Sequence, residues 1–221
     1  MLLPTSSVGR KLVMAATGQL IFLFVIVHVL GNATIYFGLL NAYAAHLKAL
    51  PPLLWSFRLG LIILFAFHIF YGIVLTLENN AAKPQSYVFR NDLSATVAGR
   101  NMIWTGAVIG SFLIYHLLHF TIQVTNPSVA AARHLDSLGR PDVFTMVVKS
   151  FQNFGIAFVY LLSMTALWLH LSHGIQSSFQ TWGLTSDNSL PIIKRVGAIA
   201  AVILFIAYIA VPVVIATGIV K

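Results

Sequence analysis

Eight histidines and no cysteines set the chemistry open to this chain of 221 residues. His28, His68, His116, His119, His170 and His173 fall inside long apolar stretches, and His46 and His134 fall between them. An ionisable side chain inside a bilayer is costly, so each intramembrane histidine is a functional hypothesis by default. A neutral histidine hydrogen-bonded to a neighbouring helix is the simpler account of one isolated case. It does not account for a histidine on each of four successive stretches. Facing imidazoles with no thiolate and almost no carboxylate nearby suit six-coordinate haem iron. Zinc or a di-iron centre wants carboxylates or further ligands, which these stretches lack.

Such side chains must be positioned by membrane-spanning helices. About 20 apolar residues cross the roughly 30 Å of hydrocarbon in a bilayer. Five stretches qualify: Leu12 to Leu40, Leu53 to Leu77, Met102 to Val124, Phe151 to Phe179 and Val196 to Val220. The chain is 58% hydrophobic and 8% charged, with mean hydropathy +0.88. A soluble domain carries about 25% charged residues, so these are too few to coat a water-facing surface. The predicted fold is therefore an all-α membrane protein, a single domain with five transmembrane helices. Four form a core around two stacked b-type haems, and the fifth carries no ligand. No soluble domain and no internal repeat is expected. Arg10 and Lys11 lead into an apolar run too long for a signal-peptide core. The net charge of +8 does not point to nucleic acid, because the basic residues sit singly between apolar runs. They read as helix-end anchors and as partners for lipid headgroups or haem propionates. Arg10, Lys11, Arg100 and Arg195 are available at the inner side and Arg58 and Lys149 at the outer, although snorkelling accounts for each one singly. The close flanking pairs Arg10-Lys11 and Lys194-Arg195 favour an N-terminus on the inner, cytoplasmic side.

Depth sorts the histidines. His28 lies 17 residues beyond Lys11 and His116 lies 16 beyond Arg100. At ~1.5 Å per residue both are about 25 Å from the inner boundary. His68 lies 10 residues before Glu78 and His170 lies 11 before Thr181, about 15 Å from the same boundary. The expectation is an outer pair, His28 with His116, and an inner pair, His68 with His170, roughly 10 Å apart in height. His119 and His173 each follow a candidate by three residues. His116 is preferred for its depth and its neighbour Tyr115, and His170 because His173 drifts toward the inner boundary. The spare histidines are left to bond propionates, protonate quinone or pack. Gly72 and Gly174, four residues after His68 and His170 on the same helix face, would let a flat macrocycle approach the backbone.

These segments resemble a known family. Val-His28-Val-Leu-Gly-Asn32, Phe-His68-Ile-Phe-Tyr71-Gly72, Ile-Tyr115-His116 and Leu-His170-Leu-Ser172-His-Gly174, followed by Thr181-Trp182-Gly183, are similar to the dihaem cytochrome b membrane anchor of succinate dehydrogenases and fumarate reductases. The resemblance is to the branch with one five-helix polypeptide, and it covers essentially the whole chain. It implies His28 and His116 as axial ligands of the distal haem and His68 and His170 of the proximal haem. It further implies a flavoprotein subunit and an iron–sulfur subunit on the cytoplasmic face of a bacterial inner membrane. Quinone, usually menaquinone in this branch, is the implied membrane substrate, and no succinate site is implied in this chain. Some relatives carry an acidic residue near the outer ends of the first two helices, whereas this chain has no Asp or Glu between Leu12 and Leu77. The outer quinone site is left unassigned, with His46 and His119 as substitutes, and Glu78 is expected to cap its helix or pair with Lys83. Three alternatives compete, one of them a purely structural bundle, which leaves the histidine on each of four helices unexplained. Other respiratory dihaem anchors place two histidines several turns apart on one helix, whereas His116/His119 and His170/His173 are only three residues apart. A histidine-lined transporter normally includes buried Asp or Glu.

Overall fold

The computed structural model describes residues 6–82 and 96–221. Helix α1 spans Ser7–Ala33 and continues as a 3-10 turn over Thr34–Phe37. It is followed by α2 (Leu40–Lys48), α3 (Pro51–Ala81), α4 (Val97–Arg100) and α5 (Met102–His116). A π-helical turn over Leu117–Thr121 extends α5. The chain ends with α6 (Val143–Phe151), α7 (Phe154–Thr181) and α8 (Ser189–Ala216). The described residues form no β-strand, only an isolated bridge between Leu135 and Pro141. Among the described residues, five helical segments are long and apolar enough to cross a membrane: Ser7–Phe37, Pro51–Ala81, Met102–Thr121, Phe154–Thr181 and Ser189–Ala216. This is a multi-pass membrane protein.

Local chemistry sets the helix ends, and it moves several of the expected boundaries. The second span starts at Pro51 rather than Leu53, because proline is tolerated in the first turn, where its missing N–H has no partner to lose. The same tolerance lets the fifth span begin at Ser189, with Pro191 in its first turn, instead of at Val196. The third span stops at Thr121 rather than Val124. There Gln123 adopts φ 63°, rare for a residue with a Cβ, and its Oε1 accepts the Ala132 N–H at 3.1 Å. Three expected loops contain short helices, α2, α4 and α6. The fourth span begins at Phe154 because Asn153 breaks the chain and caps α7, its Oδ1 accepting the Ile156 N–H. Ser6 caps α1 through Gly9 N–H, and Asp142 caps α6 through Thr145 N–H.

Four of the spans form a ring in which α1 touches α3, α3 touches α5, α5 touches α7 and α7 touches α1. Helix α8 packs outside the ring, along α7 and more lightly against α1. That seam is built from Val25, Val29, Leu171, Ala201 and Leu204, and the fully buried Ala201 lets the backbones come close. A second cluster joins Ile35, Leu40, Val148, Phe151, Tyr160 and Ile215, closing the end of the bundle opposite Arg10. Helix α3 is the least embedded, with Tyr71 its single buried residue.

Away from Arg10, a polar knot fixes the connecting segments. Asn41 on α2 donates to Asp136 and Asp142 and accepts the Phe144 N–H at 2.8 Å. Asp136 forms a 2.7 Å ion pair with Arg140 and accepts the Leu138 and Arg140 backbone N–H groups. The Arg140 guanidinium, with these donors and the Asn41 amide, holds the Asp136 carboxyl at about 2.

Candidate functional site

The ring brings two histidine pairs together across its diagonals. His28 on α1 and His116 on α5 have ring centroids 5.9 Å apart, with planes at 86°. His68 on α3 and His170 on α7 have centroids 6.3 Å apart, with planes at 69°. Each pair thus joins helices on opposite sides of the ring. All four residues are half-buried.

Each ring of the second pair is held by a threonine on the adjacent helix. The buried Thr17 on α1 donates its hydroxyl proton to the backbone carbonyls of Val13 and Met14. Its oxygen then accepts the His68 Nδ1–H at 3.3 Å. Thr105 on α5 bonds the carbonyls of Asn101 and Met102 in the same way and accepts His170 Nδ1–H at 3.1 Å. With Nδ1 protonated, Nε2 carries the free lone pair in both rings, the arrangement that a hydrogen-bonded metal-ligating histidine adopts. The next residue on each helix is glycine. A Cβ on Gly18 would stand 3.1 Å from His68 Cε1, and one on Gly106 would stand 3.6 Å from His170 Cε1.

The correspondence extends along both helices, contrary to the expectation of no repeat. Met14-Ala-Ala-Thr17-Gly18 precedes His28 by the same spacing as Met102-Ile-Trp-Thr105-Gly106 precedes His116. His68 and Gly72 on α3 likewise match His170 and Gly174 on α7. The chain thus contains two similar hairpins. The repeat is hidden by the variable residues between its fixed points and by loops of unequal length.

Thr17 and Thr105 also calibrate the height of the pairs. Each lies 11 residues before the histidine of the other pair on its helix, which is about 16 Å at 1.5 Å per residue. The two levels are therefore further apart than the roughly 10 Å reckoned from the sequence. The marks for that distance were Lys11, Arg100, Glu78 and Thr181, and the three charged side chains among them reach several ångströms along the axis.

The remaining histidines play other parts. His119, in the π-turn, is buried, with Nδ1 3.0 Å from the Tyr160 hydroxyl and Nε2 3.1 Å from Ser150 Oγ. His173 Nδ1 meets the Gln176 amide at 3.3 Å, and Gly99 on α4 packs closely on its ring. His46 Nδ1–H donates to Ala42 O, and His134 Nε2–H to Ser128 O. Gly72 and Gly174 face the methyl groups of Met14 and Met102. Glu78 pairs with Arg10 at 2.8 Å, while Lys83, its expected partner, lies outside the described residues. Arg58 stacks over the exposed indole of Trp55 at 5.1 Å. Tyr160, Ser150, Thr17 and Thr105 were not singled out from the sequence. The repeated Thr-Gly dipeptides were the available signal for two of them, and Tyr160 and Ser150 had none.

Iron held between two imidazoles would fix the spacing of their rings. With a metal–imidazole bond of about 2 Å and roughly 1 Å from that nitrogen to the ring centre, one ion between two imidazoles spaces the centroids about 6 Å apart. The observed 5.9 and 6.3 Å match that spacing, at two levels and with no third ligand. Among the described residues no group of three or more His, Cys, Asp or Glu is placed to hold a metal ion. The two-imidazole donor sets therefore fit axial haem ligation better than a protein-built metal cage. Compared with known protein families, curated proteins and solved structures, the chain matches none.

Proposed function

We propose that this chain is the dihaem cytochrome b anchor of a succinate:quinone oxidoreductase, relaying electrons between an iron–sulfur subunit and membrane quinone. The observation that carries the reading is the pair of diagonal histidine contacts near 6 Å, set about 16 Å apart along a bundle of membrane length. A haem at each level supplies one-electron transfer, and two levels span about half of the hydrocarbon core. His28 with His116, and His68 with His170, would hold the two haems through their imidazole nitrogens. Thr17 and Thr105 orient two of these rings, and the apolar helices exclude water. The end bearing Arg10 and Lys11 faces the cytoplasm, where the iron–sulfur and flavoprotein subunits dock. Succinate or fumarate chemistry resides in those partners, and quinone, of the menaquinone type, exchanges electrons at the membrane.

A reduced-minus-oxidised visible spectrum of the purified protein tests this directly. Two b-type components are expected. Replacing His28 or His116 by alanine removes one, and replacing His68 or His170 removes the other. A haem content of one or zero, or loss of both from any single replacement, refutes the reading. Co-purification with two soluble subunits that together reduce quinone with succinate tests the partners.

A further inference from the structure

His119 is a fully engaged histidine that the relay itself does not use. Its Nε2 faces Ser150 Oγ, and its Nδ1 faces the Tyr160 hydroxyl, which also lies 3.3 Å from His116 Nδ1. The directions of these bonds can be fixed from one end. Ser150 has a single hydroxyl proton, which it donates to Met146 O at 2.7 Å, so its oxygen accepts from His119 Nε2–H. A neutral imidazole protonated at Nε2 has an acceptor at Nδ1, so Tyr160 donates its proton there. The Tyr160 oxygen then accepts from His116 Nδ1–H, which leaves His116 Nε2 bare.

We infer that Ser150, His119 and Tyr160 form a directional hydrogen-bond chain that holds His116 in the tautomer able to bind metal through Nε2, making all three positioning residues for one axial ligand. The inference rests on the bis-histidine reading above. Its parts come from three elements, α6 (Ser150), the π-turn after α5 (His119) and α7 (Tyr160). The chain is sealed from water, with His119 2% and Ser150 0% exposed. Such burial makes a reversed or broken chain costly, because a buried donor without an acceptor loses its hydrogen bond to water as well. The π-turn that carries His119 begins immediately after His116, and π-turns inside helices recur at functional sites. Phe112 and Phe120 pack edge-on against the Tyr160 ring at 4.9 and 5.7 Å and fix its position between the two histidines.

The test uses the purified protein and reads each haem separately. Tyr160→Phe removes the shared hydroxyl at nearly constant shape, and His119→Leu removes the ring. In both, the haem on His28/His116 is expected to be retained 10- to 100-fold less tightly, as for other partners that orient metal ligands, with a shifted potential and low-spin resonance. The haem on His68/His170 stays as in the wild type and reports correct folding. His119→Gln is the conservative variant, since its amide can accept from Tyr160 and donate to Ser150, and it restores the wild-type signal. Nitrogen-15 spectra of histidine-labelled, reduced protein should place the His119 proton on Nε2. A proton on Nδ1, or unchanged retention and resonance in Tyr160→Phe and His119→Leu, overturns the inference while leaving the two haems in place. Equal disturbance of both haems, or a His119→Gln variant as impaired as His119→Leu, also overturns it. A wild type without haem refutes the bis-histidine reading instead, and the inference falls with it.

Discussion

Replacing Thr105 by valine removes one oxygen and almost no volume, and it isolates what the hydroxyl does for His170. In the wild type the Thr105 oxygen accepts His170 Nδ1–H at 3.1 Å in a buried position. Stranding a buried N–H costs about 1–3 kcal/mol. The valine also frees the Met102 carbonyl from its bond to the threonine hydroxyl. The low end of that range, about 1 kcal/mol, is roughly fivefold in haem affinity. The assay is transfer of haem to an excess of an apo-globin acceptor, followed at wavelengths that separate the two b-type components. The component held by His68 and His170 should leave about five times more readily, and the other should be unchanged. Thr105→Ser keeps the acceptor and should match the wild type. Equal loss from both components, or serine behaving like valine, would refute the claim that this hydroxyl orients the ligand.

Other substitutions discriminate among neighbours. His116→Ala should abolish one b-type component in the visible spectrum, whereas His119→Ala should weaken that component without abolishing it. Gly18→Ala and Gly106→Ala should have opposite effects in thermal unfolding. Either alanine gains about 0.5–1 kcal/mol from reduced chain entropy. At Gly106 the new methyl meets ordinary contact distance, whereas at Gly18 it stands 3.1 Å from His68 and must push the ring, at about 1–3 kcal/mol. Asp136 governs acid sensitivity at the membrane face away from Arg10. Its folded value near 2 lies below the ordinary 3.8, so its contribution is complete above about pH 4 and is lost as pH falls through 2. Amide exchange at Leu138 and Arg140 should accelerate over that window. Acceleration that begins well above pH 4, or that persists unchanged in Asp136→Asn, would assign it to another group.

The spans were legible because lipid imposes a long, uniform apolar pattern that needs no knowledge of the partner helices. The pairing of His28 with His116 and of His68 with His170 followed from the rise of a helix, whereas the separation of the two levels did not. The boundaries shifted where one residue overrode composition, as Pro51, Gln123 and Asn153 do. The short helices α2 and α6 escaped notice because Asn41 and Asp142 secure them through contacts distant in sequence. Tyr160 and Ser150 escaped for the same reason. Their roles depend on α6 and α7 closing around the end of α5, and no local pattern encodes that packing. Thr17 and Thr105 differ, since their matched spacing to Gly18, Gly106 and the following histidines stands in the chain itself.

The diagonal placement of the pairs has a mechanical side. Neighbouring helices of the ring are tied along their seams, as a four-sided frame is tied at its edges, and such a frame resists shear only when braced corner to corner. On the proposed reading, haems held between His28 and His116, and between His68 and His170, would be those braces, crossing at two storeys. Helix α3 gains most, because only Tyr71 on it is buried and its grip on α7 runs through His68. An unbraced bundle should therefore loosen first along α3, and insertion of the proposed haems would then be the step that stiffens it.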